Sequence, residues 1–147
     1  MELIIKHFNE LSAHELMEIY KLRVAVFVVE QECAYQEIDN YDDVSYHLWL
    51  KDDDGIIAYS RVLPQNSKFE DVSIGRVISA RRRCGMGTKI MEAAIGVAKD
   101  KFSAKQICLE AQVYAIPFYE NVGFKVVSEQ FNIDKIPHVK MLLNTER

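Results

Sequence analysis

A strand, a tight turn and a helix in immediate succession constrain this chain more than anything else in it. Residues 72–79 alternate like a strand, and residues 87–100 repeat apolar side chains at helical spacing. Between them runs Ala80-Arg81-Arg82-Arg83-Cys84-Gly85-Met86. Gly85 and Gly87, one residue apart, allow positive φ and close approach by a ligand, because neither carries a Cβ. A helix starting here aims its unpaired N–H groups and positive dipole end back at the turn. Successive N–H groups at such a corner bind anions, and the three arginines raise the local potential. A phosphate-bearing ligand fits this chemistry, and an ordinary Gly-rich turn with a solvated arginine run is the alternative. Two familiar phosphate motifs do not fit. G-x-G-x-x-G needs a third glycine where Ile90 stands, and G-x-x-x-x-G-K-[ST] needs Lys directly after its last glycine, where Thr88 precedes Lys89.

At 147 residues, 49% hydrophobic and 27% charged, the chain suits one domain, 1–147, with a sizeable core. Its net charge of −4 argues against a general nucleic-acid binder, so residues 81–83 are a local feature. No apolar run reaches membrane-spanning length, and Met1-Glu2-Leu3-Ile4-Ile5-Lys6 lacks the basic start of a signal peptide. Cys33, Cys84 and Cys108, odd in number and widely spaced, suit reduced thiols better than disulfides or a metal site. A cytoplasmic location with no metal is the expectation.

Residues 2–7 predict an opening strand. Ser12-Ala13-His14-Glu15 is a capping box, with Leu11 and Leu16 at the staple positions, and helical spacing continues to about residue 28. Residues 30–43 carry six acidic side chains (Glu30, Glu32, Glu37, Asp39, Asp42, Asp43), and no Lys or Arg occurs between Val24 and Leu50. Either a solvated acidic loop or a negative rim that attracts a cationic amine follows from this run. Residues 46–51 and 56–63 read as strands joined by the Asp52-Asp53-Asp54-Gly55 turn. Alternation along 72–79 places Ile74, Arg76 and Ile78 on one face. Helix 87–100 buries Ile90, Met91, Ala94, Ile95 and Ala98. A strand at 107–112, a short helix at 116–121, and strands at 124–131 and 138–143 complete the order β-α-β-β-β-α-β-α-β-β. A strand-helix-strand passage implies a parallel pair and the hairpins antiparallel ones. The fold class is therefore mixed α/β (α+β), a mostly antiparallel sheet with a central parallel pair, flanked by helices.

Arg82-x-x-Gly85-x-Gly87, between strand and helix, resembles the coenzyme-A pyrophosphate loop of the GNAT superfamily of N-acetyltransferases, whose pattern is [QR]-x-x-G-x-[GA]. Ala115-x-x-x-Tyr119-x-x-x-Gly123-Phe124 is similar to the family's second motif. The run from Leu22 to Gln31, followed by Cys33, Tyr35 and Ile38-Asp39, together with Arg76-Val77-Ile78 and Ile136-Pro137-His138, resembles the ElaA-like branch. The resemblance spans nearly the whole chain and implies transfer of an acetyl group from acetyl-CoA, the co-substrate, to a primary amine of a small molecule or peptide. A non-catalytic acetyl-CoA sensor is the alternative. Partners would be the amine and acetyl-CoA, not nucleic acid or membrane, with monomer and homodimer both open.

The resemblance further implies a cofactor site made by Arg82, Arg83, Cys84, Gly85, Met86, Gly87 and Thr88 on the pyrophosphate, and by backbone groups of Val77 and Ile78 on the pantetheine. Gln112 stands where many members carry Asn, and the partner of its longer amide is open. Tyr119 is the expected acid to the departing thiolate. Glu30, Glu110, His47 and His138 are the candidate bases, directly or through water, with His138 and Glu30 preferred. Arg76, on a mostly apolar strand, either pairs with an acid such as Glu30 or recognises a substrate carboxylate. Cys84 and Cys108 read as structural, and Cys33 as a remote nucleophile candidate.

Overall fold

Two strand-forming runs joined by a short turn pair antiparallel, whereas an intervening helix brings its flanking strands together in parallel. The computed structural model, which describes residues 1–79 and 85–146, follows this rule. Its strands are β1 (Glu2–His7), β2 (Tyr46–Asp52), β3 (Gly55–Leu63), β4 (Val72–Ser79), β5 (Gln106–Gln112), β6 (Lys125–Val126), β7 (Phe131–Ile133) and β8 (Ile136–Asn144). The helices are α1 (Ala13–Val24), α2 (Met86–Phe102) and α3 (Ile116–Asn121). The strands form one sheet in the order β1-β2-β3-β4-β5-β8-β6, with β7 beside β8. Among the described residues every pairing is antiparallel except β4 with β5, across α2. The mixed sheet with a central parallel pair is the one the sequence predicts.

The start of α1 is fixed as its sequence demands. Ser12 Oγ accepts from the Glu15 N–H at 3.0 Å, and Glu15 Oε1 accepts from the Ser12 N–H at 2.9 Å. Glu15 also pairs with Lys6 of β1 at 2.9 Å, tying helix to strand. The helix ends earlier than expected. From Ala25 to Glu30 the chain widens into a π-helical turn. Val24, Val26, Val28 and Val29 are stiff at χ1 and crowd an α-helical surface, and π turns often sit at functional sites.

The predicted strand 124–131 is also interrupted. Ser128 Oγ accepts from the Lys140 N–H at 2.8 Å, where a ladder carbonyl would otherwise do so. A side-chain hydroxyl competing for the ladder separates β6 from β7.

The sheet has two chemically different faces. Leu48, Ala58, Val62 and Ile74 pack on Ile90, Met91, Ala94 and Ala98 of α2 in an apolar core. Each large side chain buried there contributes about 1.5–3 kcal/mol. On the other face Trp49, Tyr59 and Ile78 meet Ile19 of α1. Beside them lie Arg23, Arg61, His47, Glu37 and Asp42, all buried. Buried ion pairs are weak sources of net stability, because desolvation consumes most of their attraction.

Ile74 and Ile78 therefore occupy opposite faces, contrary to the alternation read from sequence. Tyr59 pairs with Ile78 but Arg61 pairs with Gly75, so Arg76 and Val77 together stand against Ser60. This is a β-bulge, and Arg76 adopts the left-handed region at φ 53°. One extra residue inverts every side chain beyond it.

Candidate active site

Parallel β4 and β5 pair only at Val72 with Ile107 and Ser73 with Cys108. Beyond these positions they diverge and a cleft of about 1200 Å³ opens through the sheet. Its walls hold Val77 and Ile78 of β4, Glu110 and Gln112 of β5, Tyr119 of α3 and His138 of β8. Arg76, Gly87 and Glu30 also reach it. The fold thus brings most of the predicted site residues to one place. His47 is the exception among the candidate bases, and Arg82, Arg83 and Cys84 lie outside the described residues.

Gly85 takes φ 71° and begins α2 without a side-chain cap, and the first-turn N–H groups of a helix, which have no partner within it, suit an anion. Met86 and Thr88 lie in that turn, Thr88 exposed. The second glycine has a different reason from the first. A Cβ on Gly87 would stand 3.2 Å from the Phe118 ring, so its absence lets α2 close on α3.

Tyr119 sits between Phe118 and Phe124, with ring centroids 5.0 and 6.3 Å away. Burial, with a smaller contribution from Tyr114, raises its phenol well above the usual range, so it is a donor at neutral pH. His138 stands opposite Gln112 across the β5–β8 ladder. Its Nδ1 lies 2.7 Å from the Ile136 carbonyl, which fixes Nδ1 as the protonated nitrogen and Nε2 as the acceptor. The ring stacks on Phe131 with centroids 6.3 Å apart. Glu30 is exposed at the end of the π turn. Gln112 Nε2 donates to Gln31 Oε1 at 3.3 Å, which supplies the partner the sequence left open.

His47 is buried with Nε2 3.0 Å from the Asp42 carbonyl and Nδ1 2.6 Å from the Tyr59 hydroxyl. Burial pushes its pKa down to about 4, so it is a neutral core residue away from the cleft. Cys108 is buried and burial pushes its thiol up to about 11. Cys33 Sγ, at the cleft wall, lies 3.9 Å from the Asp134 carbonyl.

The acidic run is neither a wholly solvated loop nor a free negative rim. Arg23 Nε donates to Glu37 Oε2 and its Nη1 to Asp42 Oδ1, each at 2.7 Å. Arg61 meets Asp39 at 2.7 Å and Asp42 at 3.0 Å. Arg76 pairs with Glu37 and, at 3.4 Å, with Asp39. Glu30 is not its partner. Tyr35 and Tyr20 hydroxyls donate to Glu37 and Asp42 at 2.8 and 3.3 Å. Burial alone would raise Asp39 and Asp42, but Arg61 and Arg23 respectively more than offset it and hold both carboxyls below their ordinary range. Of its six acidic side chains, Glu30, Glu32 and Asp43 are exposed. The missed signal was arginines set in apolar runs (Leu22-Arg23-Val24, Ser60-Arg61-Val62) facing an acidic stretch with no local cation.

A splayed parallel pair beside an uncapped helix N-terminus has close counterparts among known proteins. The family model of the acetyltransferase (GNAT) domain matches residues 10–145, and the chain belongs to that family. Within it the chain is ElaA-like. Protein ElaA of Escherichia coli is 38% identical over 140 residues, 92% of this chain and 91% of that protein. The E. coli ElaA crystal structure superposes with a TM-score of 0.91 at 35% identity, covering 98% of this chain and 100% of that one. A UPF0039 protein of Schizosaccharomyces pombe is 44% identical over 97% of both chains. An acyl-CoA N-acyltransferase from Pseudomonas aeruginosa superposes at TM-score 0.90 and 36% identity, covering 97% of this chain and 99% of that one. The fold is that of acyl-CoA-dependent N-acyltransferases.

Proposed function

We propose that residues 1–147 act as one domain that moves an acetyl group from acetyl-CoA to a primary amine, of a small molecule or peptide, by direct attack within a ternary complex. The observation that carries this reading is the divergence of β4 from β5. It opens a cleft bounded by a bulged strand on one side and reaching Gly87 of the uncapped α2 at its end. Gly85 at positive φ and the first turn of α2, with Met86 and Thr88, suit a pyrophosphate, and the family resemblance assigns Arg82, Arg83 and Cys84 to the same group. Backbone groups of Val77 and Ile78 hold the pantetheine arm, and an N–H there stabilises the developing oxyanion. Gln112, already bonded to Gln31, borders the same arm.

In the transfer, the amine nitrogen bonds to the carbonyl carbon, the carbon–sulfur bond breaks, and the amine proton passes to a base. His138 Nε2 is the acceptor the geometry favours, because Ile136 has already fixed the tautomer. Exposed Glu30 draws the amine toward the cleft and is the second base candidate. Tyr119 donates to the departing thiolate. A thiol of ordinary pKa, about 8.5, is a stronger acid than this buried phenol, so Tyr119 stabilises the anion by hydrogen bonding and solvent completes its protonation. Arg76, neutralised by Glu37 and Asp39, belongs to the wall and not to a substrate carboxylate.

Thermal unfolding with and without acetyl-CoA is the first test. Ligand at 100 times its dissociation constant adds about 2.7 kcal/mol, a midpoint rise of roughly 5–10 °C for this length. A rise followed by thiol release with one of a panel of amines supports the enzyme. A rise with no thiol release favours the sensor, and no rise in folded protein removes the cofactor site.

A further inference from the structure

Arg76 is a non-glycine residue held at φ 53° in the bulge of β4, directly before the two residues assigned to the pantetheine. L-residues leave the left-handed region readily unless the surroundings hold them there. Here the hold comes from outside the strand. Arg76 pairs with the Glu37 carboxylate, its Nη2 donates to the Glu37 carbonyl at 3.1 Å, and its guanidinium lies 6.0 Å from the Phe27 ring centroid in the π turn. Glu37 is 2% exposed and is itself gripped by Arg23 and Tyr35. The backbone assigned to the thioester is thus clamped by a loop far from β4 in sequence.

We propose that Arg76 and Glu37 are positioning residues for acyl-CoA: their pair sets the bulge that aims Val77 and Ile78 into the cleft, and makes cofactor affinity depend on a loop remote from β4 in sequence. The inference rests on the cofactor reading above. A second consequence is coupling, since anything that shifts the loop on binding the amine also shifts the bulge.

Arg76→Gly separates the pair from simple backbone strain. Glycine accepts the positive φ freely, so a role confined to strain predicts a variant at least as stable and equal in binding. A positioning role predicts acetyl-CoA affinity weakened about tenfold or more, read by titration calorimetry with acetyl-CoA itself. It also predicts faster amide exchange at Val77 and Ile78 while β1 and β2 keep wild-type protection. Glu37→Gln should weaken binding in the same direction from the loop side of the pair. Arg76→Lys, which keeps a charge but not the fork, should recover part of the affinity. Wild-type affinity in any folded Arg76→Gly or Glu37→Gln protein overturns the proposal. If neither folds, Arg76→Lys decides, since unchanged affinity there refutes the fork's role and a loss of about threefold or more supports it. Wild type that fails to bind acetyl-CoA would instead overturn the cofactor reading, so the two failures are distinct.

Discussion

Arg23→Met tests the charged face most directly. Methionine keeps the length and apolar stem of the side chain but removes the guanidinium that meets Glu37 and Asp42 at 2.7 Å each. Both carboxylates are nearly inaccessible, at 2% exposure each. Stripping a partner from a buried pair costs about 3–5 kcal/mol. The lower end applies, because Glu37 retains Arg76 and Tyr35 while Asp42 retains Arg61 and Tyr20. With about 3 kcal/mol lost and about 2–4 °C per kcal/mol at this chain length, the unfolding midpoint should fall by roughly 6–12 °C. The pH dependence supplies an internal control. Asp42 is held below its ordinary value of 3.8, so its contribution is complete above that pH and is lost as the pH falls from there through the lower folded value. Differential scanning calorimetry from pH 7 to 2 should therefore show a constant gap between wild type and variant down to about pH 4 and a narrowing gap below it. A gap that stays constant below pH 4, or a fall under about 3 °C at pH 7, would refute the assignment of the loss to these ion pairs.

Tyr119→Phe removes the thiolate's hydrogen-bond donor from a ring still packed by Phe118 and Phe124. Thiol release should slow on the order of 100-fold in kcat with the acetyl-CoA KM changed by less than about twofold, and an unchanged kcat would exclude the role. His47 falls from 6.5 to about 4 on folding, so the unfolded chain takes its proton first and stability declines as pH drops through that window. At about 1.4 kcal/mol for each step of one in pKa, the decline approaches 3 kcal/mol by pH 4. Denaturant titrations of His47→Asn should lack that part of the slope.

The strand-helix order, the capping box at Ser12 and the short helix at residues 116–121 were legible because each depends on neighbours in sequence. The meeting of the candidate site residues on β4, β5, α3 and β8 at one cleft follows from the same topology. The bulge at Arg76 was not legible. Its cause is a contact with Glu37 that no local pattern in residues 72–79 encodes. The same distance in sequence hid the destiny of the acidic run: without three remote arginines, it looks like loop surface. The π turn escaped as well, since valines and Phe27 keep an apolar period that an α-helix and a wider turn share.

The sheet's two faces place different demands on inheritance. On the α2 side an isoleucine can be exchanged for valine or leucine singly, with a modest penalty each time. On the α1 side Arg23, Arg61 and Arg76 balance Glu37, Asp39 and Asp42. Losing any one leaves its partners only partly compensated in or near the interior, so single changes there are costly and matched changes milder. Descendants of this chain should accordingly keep or discard these six positions as a set, while the opposite face drifts one side chain at a time.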